Sequence, residues 1–149
     1  RRAGLVIRQS VAFAQIVTLL LRSPNYRHYA LADLEWLVLP PLATGQFSIA
    51  EGRAQPGGPA FPLAAALWAR VSAEVDQRLS ANPGAPVRLR PDEWASGDIL
   101  WLVDALGEPK IVSGLLKQLG DTVFKGRPLK IRTRGADGQP EVKAVVGGA

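Results

Sequence analysis

Apolar residues fall at helical spacings from Ala3 to Leu21, at Leu5, Ala12, Ile16, Leu19 and Leu20, and Ser23-Pro24 stops the pattern because a residue before proline is pushed out of the helical region. The spacing predicts a first helix. Leu31, Leu34, Leu37 and Val38 repeat it over a shorter stretch that the double Pro40-Pro41 is expected to end. Gln46–Glu51 and Phe61–Ala69 read as strands joined across the glycine- and proline-rich stretch Gly52–Pro59. Ala64-Ala65-Ala66 argues against a strand on propensity, although a strand buried on both faces tolerates small residues. Val71, Val75 and Leu79 sit four apart and predict a third helix, broken by Asn82-Pro83-Gly84.

Beyond a loop rich in proline and arginine (Asn82–Pro91), the run Ile99–Val103 is apolar without alternation, the pattern of a central strand covered on both faces. Ile111, Leu115, Leu116 and Leu119 predict a fourth helix with Gly120 as its C-cap. Leu129–Arg134 and Glu141–Val146 then form a hairpin around Gly135–Pro140, with Asp137-Gly138 at its tight turn. The predicted order is α-α-β-β-α-β-α-β-β: a mixed α/β (α+β) fold whose mostly antiparallel sheet is flanked by helices.

The chain has 149 residues, a length that suits one domain over 1–149 and suffices for a core without staples. It contains no cysteine and one histidine, so disulfide frameworks, thiolate zinc sites and histidine-rich metal sites are excluded. The longest apolar stretch, Val11–Leu21, is interrupted by Gln15 and Thr18 and falls short of the roughly 20 residues that span a bilayer, and no cleavage-site pattern follows it. A cytoplasmic location is the expectation. The formal charge of +5 comes mostly from arginine and predicts an acidic partner. Nucleic acid is disfavoured in that role, because the aromatics sit inside apolar runs and no recognition motif is present.

Three segments are more specific than their surroundings: Ser23-Pro24-Asn25-Tyr26-Arg27-His28, the stretch Pro62–Ala69 ending in Leu67-Trp68-Ala69, and Trp94-Ala95-Ser96-Gly97-Asp98 leading to Trp101-Leu102-Val103-Asp104. With Leu39-Pro40, they resemble the motifs of the toxin-activating lysine acyltransferases, which fatty-acylate RTX protoxins, over about residues 5–134. The resemblance implies a fold like that of the GCN5-type N-acetyltransferases, no tightly bound cofactor, and transfer of an acyl group from the phosphopantetheine thioester of acyl carrier protein to the ε-amino group of a lysine in an RTX-type protoxin or another protein. It also implies a catalytic His, an Asp and a supporting Ser. By position these fall on Tyr26, Asp104 and Ser23, so the histidine column holds a tyrosine, and the only histidine, His28, comes two residues later. A second departure follows Asp104, where Ala105-Leu106-Gly107-Glu108-Pro109 replaces an apolar segment with Ala-Pro.

The chemistry sets its own demands. A free lysine has a pKa near 10.4 and must lose a proton before attacking a thioester. An imidazole oriented by a carboxylate suits that task, which makes His28 and Asp104 the expected acid/base pair, with Tyr26 donating a hydrogen bond to the oxyanion. His28 reaches the same side as Tyr26 only if the segment is extended; in a helical turn the two lie about 200° apart, and His28 then becomes a solvent-facing or capping residue. Asp104 has the alternative of capping the following helix, and Ser23 that of ending the first. Arg27, Trp68 and Trp101 are the substrate-binding candidates, the tryptophans lining an acyl channel unless they are plain core.

Gly107 is followed by Glu108 where a CoA-dependent enzyme would place a pyrophosphate loop, which disfavours CoA as donor. An acidic carrier protein suits the tract Lys110, Lys117, Lys125, Arg127, Lys130, Arg132 and Arg134. A homodimer stays open. So does a binding module that has kept carrier or toxin recognition but lost turnover with its histidine.

Overall fold

A computed structural model describes residues 2–24, 26–84 and 88–146, with side chains from residue 9 onward. The Leu5 side chain, Asn25 of the first motif and residues 85–87 of the proline- and arginine-rich loop lie outside what is described. The elements are α1 (Arg2–Arg22), α2 (Leu34–Leu37), α3 (Leu39–Thr44), β1 (Phe47–Arg53), β2 (Ala60–Val71), α4 (Ala73–Ala81), β3 (Ile99–Gly107), α5 (Pro109–Asp121), β4 (Pro128–Arg134) and β5 (Pro140–Val146). This is the mixed α/β architecture and, roughly, the element order expected from the pattern.

Several boundaries differ for identifiable reasons. Pro40 and Pro41 open α3 as well as closing α2, since the first helical turn needs no backbone donors from them. Val71 belongs to β2, and α4 begins after Ser72, whose hydroxyl accepts from Val75 N at 3.3 Å. Gly120 lies within α5 rather than capping it; the helix runs on to Asp121.

The strands form one sheet in the order β1-β2-β3-β4-β5, antiparallel except where β3 meets β4. Helix α1 packs on one face over Ala65, Leu67, Ala69 and Trp101, together with α4 through Val75 and Leu79. Helix α5 covers the other face, where Leu115 and Leu119 meet Ala64, Ala66 and Trp68. The alanine run in β2 is therefore a strand buried on both faces, and its small side chains let helices approach from both sides.

Two irregularities shape the functional region. Leu67 pairs with Asp104 but Trp68 with Leu102, so Val103 is an extra residue and β3 carries a bulge. Before it, Ile99, Trp101 and Val103 face α1 while Leu100 and Leu102 face α5; after it, Leu106 faces α1. The bulge thus turns Asp104, which would otherwise point towards α5, to the α1 side. The second irregularity is that β3 and β4 are in register only at Leu100 with Leu129 and Trp101 with Lys130. Beyond those pairs the strands part, and a cleft opens between them.

Candidate active site

The cleft has a volume of about 450 Å³. Leu102–Ala105 of β3 form one lip and Arg132 of β4 the other. Trp36 and Leu37 of α2, with Tyr26 and Tyr29 of the turn after α1, close one end, and Pro83-Gly84 after α4 border the rest. Trp36 is pinned by its indole N–H, which donates to Asp33 Oδ1 at 3.1 Å.

Among the described residues, Asp104 is the only carboxylate in the lining. Its Oδ1 accepts from Ala105 N at 2.9 Å, while Oδ2 is buried and accepts no well-formed hydrogen bond among the described residues. Burial raises its pKa to about 6. The Tyr26 hydroxyl lies against the carboxyl and keeps that rise smaller than burial alone would make it. Burial, and then the charge of Asp104, push the Tyr26 phenol well above its ordinary value, so it keeps its proton throughout the physiological range. Arg132 donates from Nη2 to Leu79 O at 2.8 Å, and burial pushes its pKa down.

Tyr26 owes its place to the turn that begins at Ser23-Pro24. The Ser23 carbonyl accepts from Tyr26 N at 3.1 Å and from Arg27 N at 3.0 Å, and Tyr29 N donates to the Tyr26 carbonyl at 2.9 Å. This is helical-turn geometry, in which side chains two apart diverge. Tyr26 consequently points inward and packs on the core, whereas His28 is exposed, its ring edge-on to Tyr29 at 5.5 Å between centroids. His28 does not line the cleft, so the expected His28–Asp104 pair is not brought together; the carboxylate meets Tyr26 instead.

The other expected residues divide between site and scaffold. Ser23 builds the turn through its backbone and does not line the cleft, and Arg27 is exposed beside it. Trp68 is buried against α5, edge-on to Phe124 at 4.9 Å, and Trp101 is fully buried with its indole N–H on Asp76 Oδ1 at 2.8 Å; neither lines the cleft. Asp104 is no helix cap, because Glu108 holds the N-cap position of α5. Lys130 is tied to Asp76 at 2.6 Å and Arg132 enters the cleft, which leaves Lys110, Lys117, Lys125, Arg127 and Arg134 of the basic tract exposed. Trp36 and Tyr29 were not anticipated. The signal available for Trp36 was an aromatic next to an apolar helical pattern, which reads equally well as core.

The rest of the Trp94–Asp104 motif is support for its last residue. Trp94 is fully buried and donates from its indole to Trp36 O at 2.8 Å, tying the motif to the cleft's end wall. Ser96 Oγ accepts from Ser72 N at 3.1 Å and donates to Glu93 O at 2.8 Å. Gly97 passes so close to β2 that a Cβ there would lie 2.4 Å from Val71 O. These contacts fix the start of β3, and with it the strand that delivers Asp104.

Among the described residues no group of three or more His, Cys, Asp or Glu side chains is placed to hold a metal ion, and no helix is long and apolar enough to cross a membrane. The sheet thus parts along one parallel seam, with a desolvated carboxylate and a protonated phenol together at the end of the slot. The model of the RTX toxin acyltransferase family (HlyC) matches residues 6–146, nearly the whole chain, and the protein belongs to that family. No curated protein sequence matches it.

Proposed function

We propose that the protein transfers a fatty acyl group from the phosphopantetheine thioester of acyl carrier protein to the ε-amino group of a lysine in an RTX-type protoxin, with Asp104 as base and Tyr26 as oxyanion donor. The observation that carries this reading is the meeting of Tyr26 with a buried Asp104, whose Oδ2 accepts no well-formed hydrogen bond among the described residues, at the end of the cleft. An incoming lysine would leave water for a slot shared with the Arg132 cation, and both effects lower the ammonium pKa. Asp104 takes the proton, the amine attacks the thioester carbonyl, and the phenol of Tyr26 donates to the oxyanion. As the C–S bond breaks, the proton held on Asp104 passes to the leaving thiolate, and Asp104 then takes the second proton from the attacking nitrogen and releases it to water, so amide, thiol and one proton are the products and no further reactant is needed.

Two features favour a carrier protein over CoA. Glu108 at the N-cap of α5 puts a negative charge where a helix N-terminus would otherwise attract pyrophosphate. The exposed lysines and arginines of α5 and β4 suit an acidic protein surface. The test is incubation with acyl-loaded carrier protein and a candidate toxin fragment, read by mass spectrometry for the acyl mass on lysine. The base must be ionised to act, so the rate should rise with pH through about 6, following Asp104. A profile flat between about pH 5 and 7 would assign the base elsewhere.

The tyrosine in the histidine column supports a second reading, in which the chain keeps recognition but turns over slowly. Tyr26→His separates the two: a rise of about tenfold or more in transfer marks the wild-type site as impaired, and an unchanged or lower rate marks Tyr26 as the working residue.

A further inference from the structure

A second, smaller cavity of about 70 Å³ lies behind the end wall of the cleft. Val17 and Leu20 of α1 and Leu34 of α2 form its floor, and Tyr26, Tyr29 and Leu37 line both it and the cleft. Tyr26 and Tyr29 meet edge to face at 5.1 Å between centroids, so the partition is a pair of aromatic rings. Leu21 and Leu31 at its rim are 62% and 86% exposed, a large apolar surface left in contact with water.

We propose that this cavity receives the tail of the donor's acyl chain, with Leu34 setting the chain length accepted; this rests on the acyl-transfer reading above. Three observations carry it. The family reaction must hold an acyl group, and a chain whose thioester lies beside Tyr26 and Asp104 has an apolar continuation past the shared Tyr26-Tyr29-Leu37 wall. The apolar groove around Phe124 and Ile131 lies on the α5 side of the sheet and shares no residue with the cleft, and neither does the groove lined by Phe13, Leu39 and Leu42. Finally, the cavity is backed by Val17 and Leu20 of α1 and has about half the volume of the roughly 150 Å³ engineered cavity that holds a benzene, so it has room for only a few carbons. A site of that shape measures a chain.

The test is calorimetric binding of straight-chain fatty acids from butyrate to myristate to wild type, Leu34→Ala and Leu34→Phe, alongside acyl transfer by the wild type. Affinity should rise about fourfold per added carbon up to a break and then level off. Leu34→Ala should move the break to acids longer by about three carbons, the number its side chain loses, and Leu34→Phe should move it to shorter acids. Because the two substitutions push in opposite directions, either folded variant is sufficient. The same break in wild type and variant, or no dependence on chain length, overturns the proposal. Transfer with an unmoved break leaves the acyl-transfer reading standing without this site; a moved break with no transfer to lysine removes that reading and leaves a fatty-chain site.

Discussion

Asp104→Asn should reduce acyl transfer by about 10²–10⁴-fold, the usual contribution of a group that moves the reacting proton. The asparagine keeps the shape of the side chain and can still accept from Ala105 N, so the fold should persist. Stability should change with a definite sign. Folding raises the Asp104 pKa from 3.8 to about 6, so the folded protein binds this proton more tightly than the unfolded chain. The resulting stabilisation is full below about pH 4 and is lost as pH rises to about 6, above which the buried charge costs about 3 kcal/mol. The variant, which carries no such charge, should therefore unfold at higher urea concentration than wild type near pH 7, with the gap closing towards about pH 4. A residue that served only structure would lose activity and stability together; here activity falls while stability rises. Undiminished transfer in the variant would remove Asp104 from the reaction.

Gly107→Ala should produce the largest loss of stability. Gly107 ends β3 at φ +112°, a conformation side chains rarely adopt, and a Cβ there would lie 2.3 Å from Leu63 O and 2.7 Å from Ala64 Cα. Strain and backbone clash act together, and neither contact is with the flexible end of a side chain that can move aside. A cost of about 3 kcal/mol or more is expected, seen as a shifted urea midpoint. A midpoint within about 0.5 kcal/mol of wild type would mean that the β2–β3 pairing opens to admit the methyl group. Glu108 and Pro109 follow directly, so such an opening would also shift the start of α5.

These two positions show what a sequence discloses and what it withholds. The helices were legible because α1 and α5 carry apolar residues at helical spacing, and β2 was legible as an apolar run although Ala64-Ala65-Ala66 argued against a strand on propensity. The apolar run of β3 announced a strand covered on both faces, but a run without alternation has no phase, and the extra residue at Val103 was hidden by the feature that marked the strand. Asp104 stood out as a lone acid after that run; which layer it faced did not follow. The position of His28 depended on whether Tyr26–His28 is extended or turned. Pro24 argued for irregular backbone, yet the Ser23 carbonyl gathers two amides into a helical turn and sends the imidazole outward. Arg132 was visible as one cation in a basic tract, and only the parting of β3 from β4 distinguishes it from Lys130, which Asp76 holds.

Val103 gives the strand two tenants with different needs. Its first half is timed to the hydrophobic interior, with Trp101 locked in place, and its second half is timed to the slot; the changeover takes one residue. Substitutions of similar size at Val103 leave that timing alone, whereas gaining or losing a single residue between Trp101 and Asp104 would deliver the acid to the wrong storey of the molecule. Length in this short stretch is therefore guarded more strictly than composition, and the tryptophan spacing that precedes Asp104 is the ruler by which it is kept.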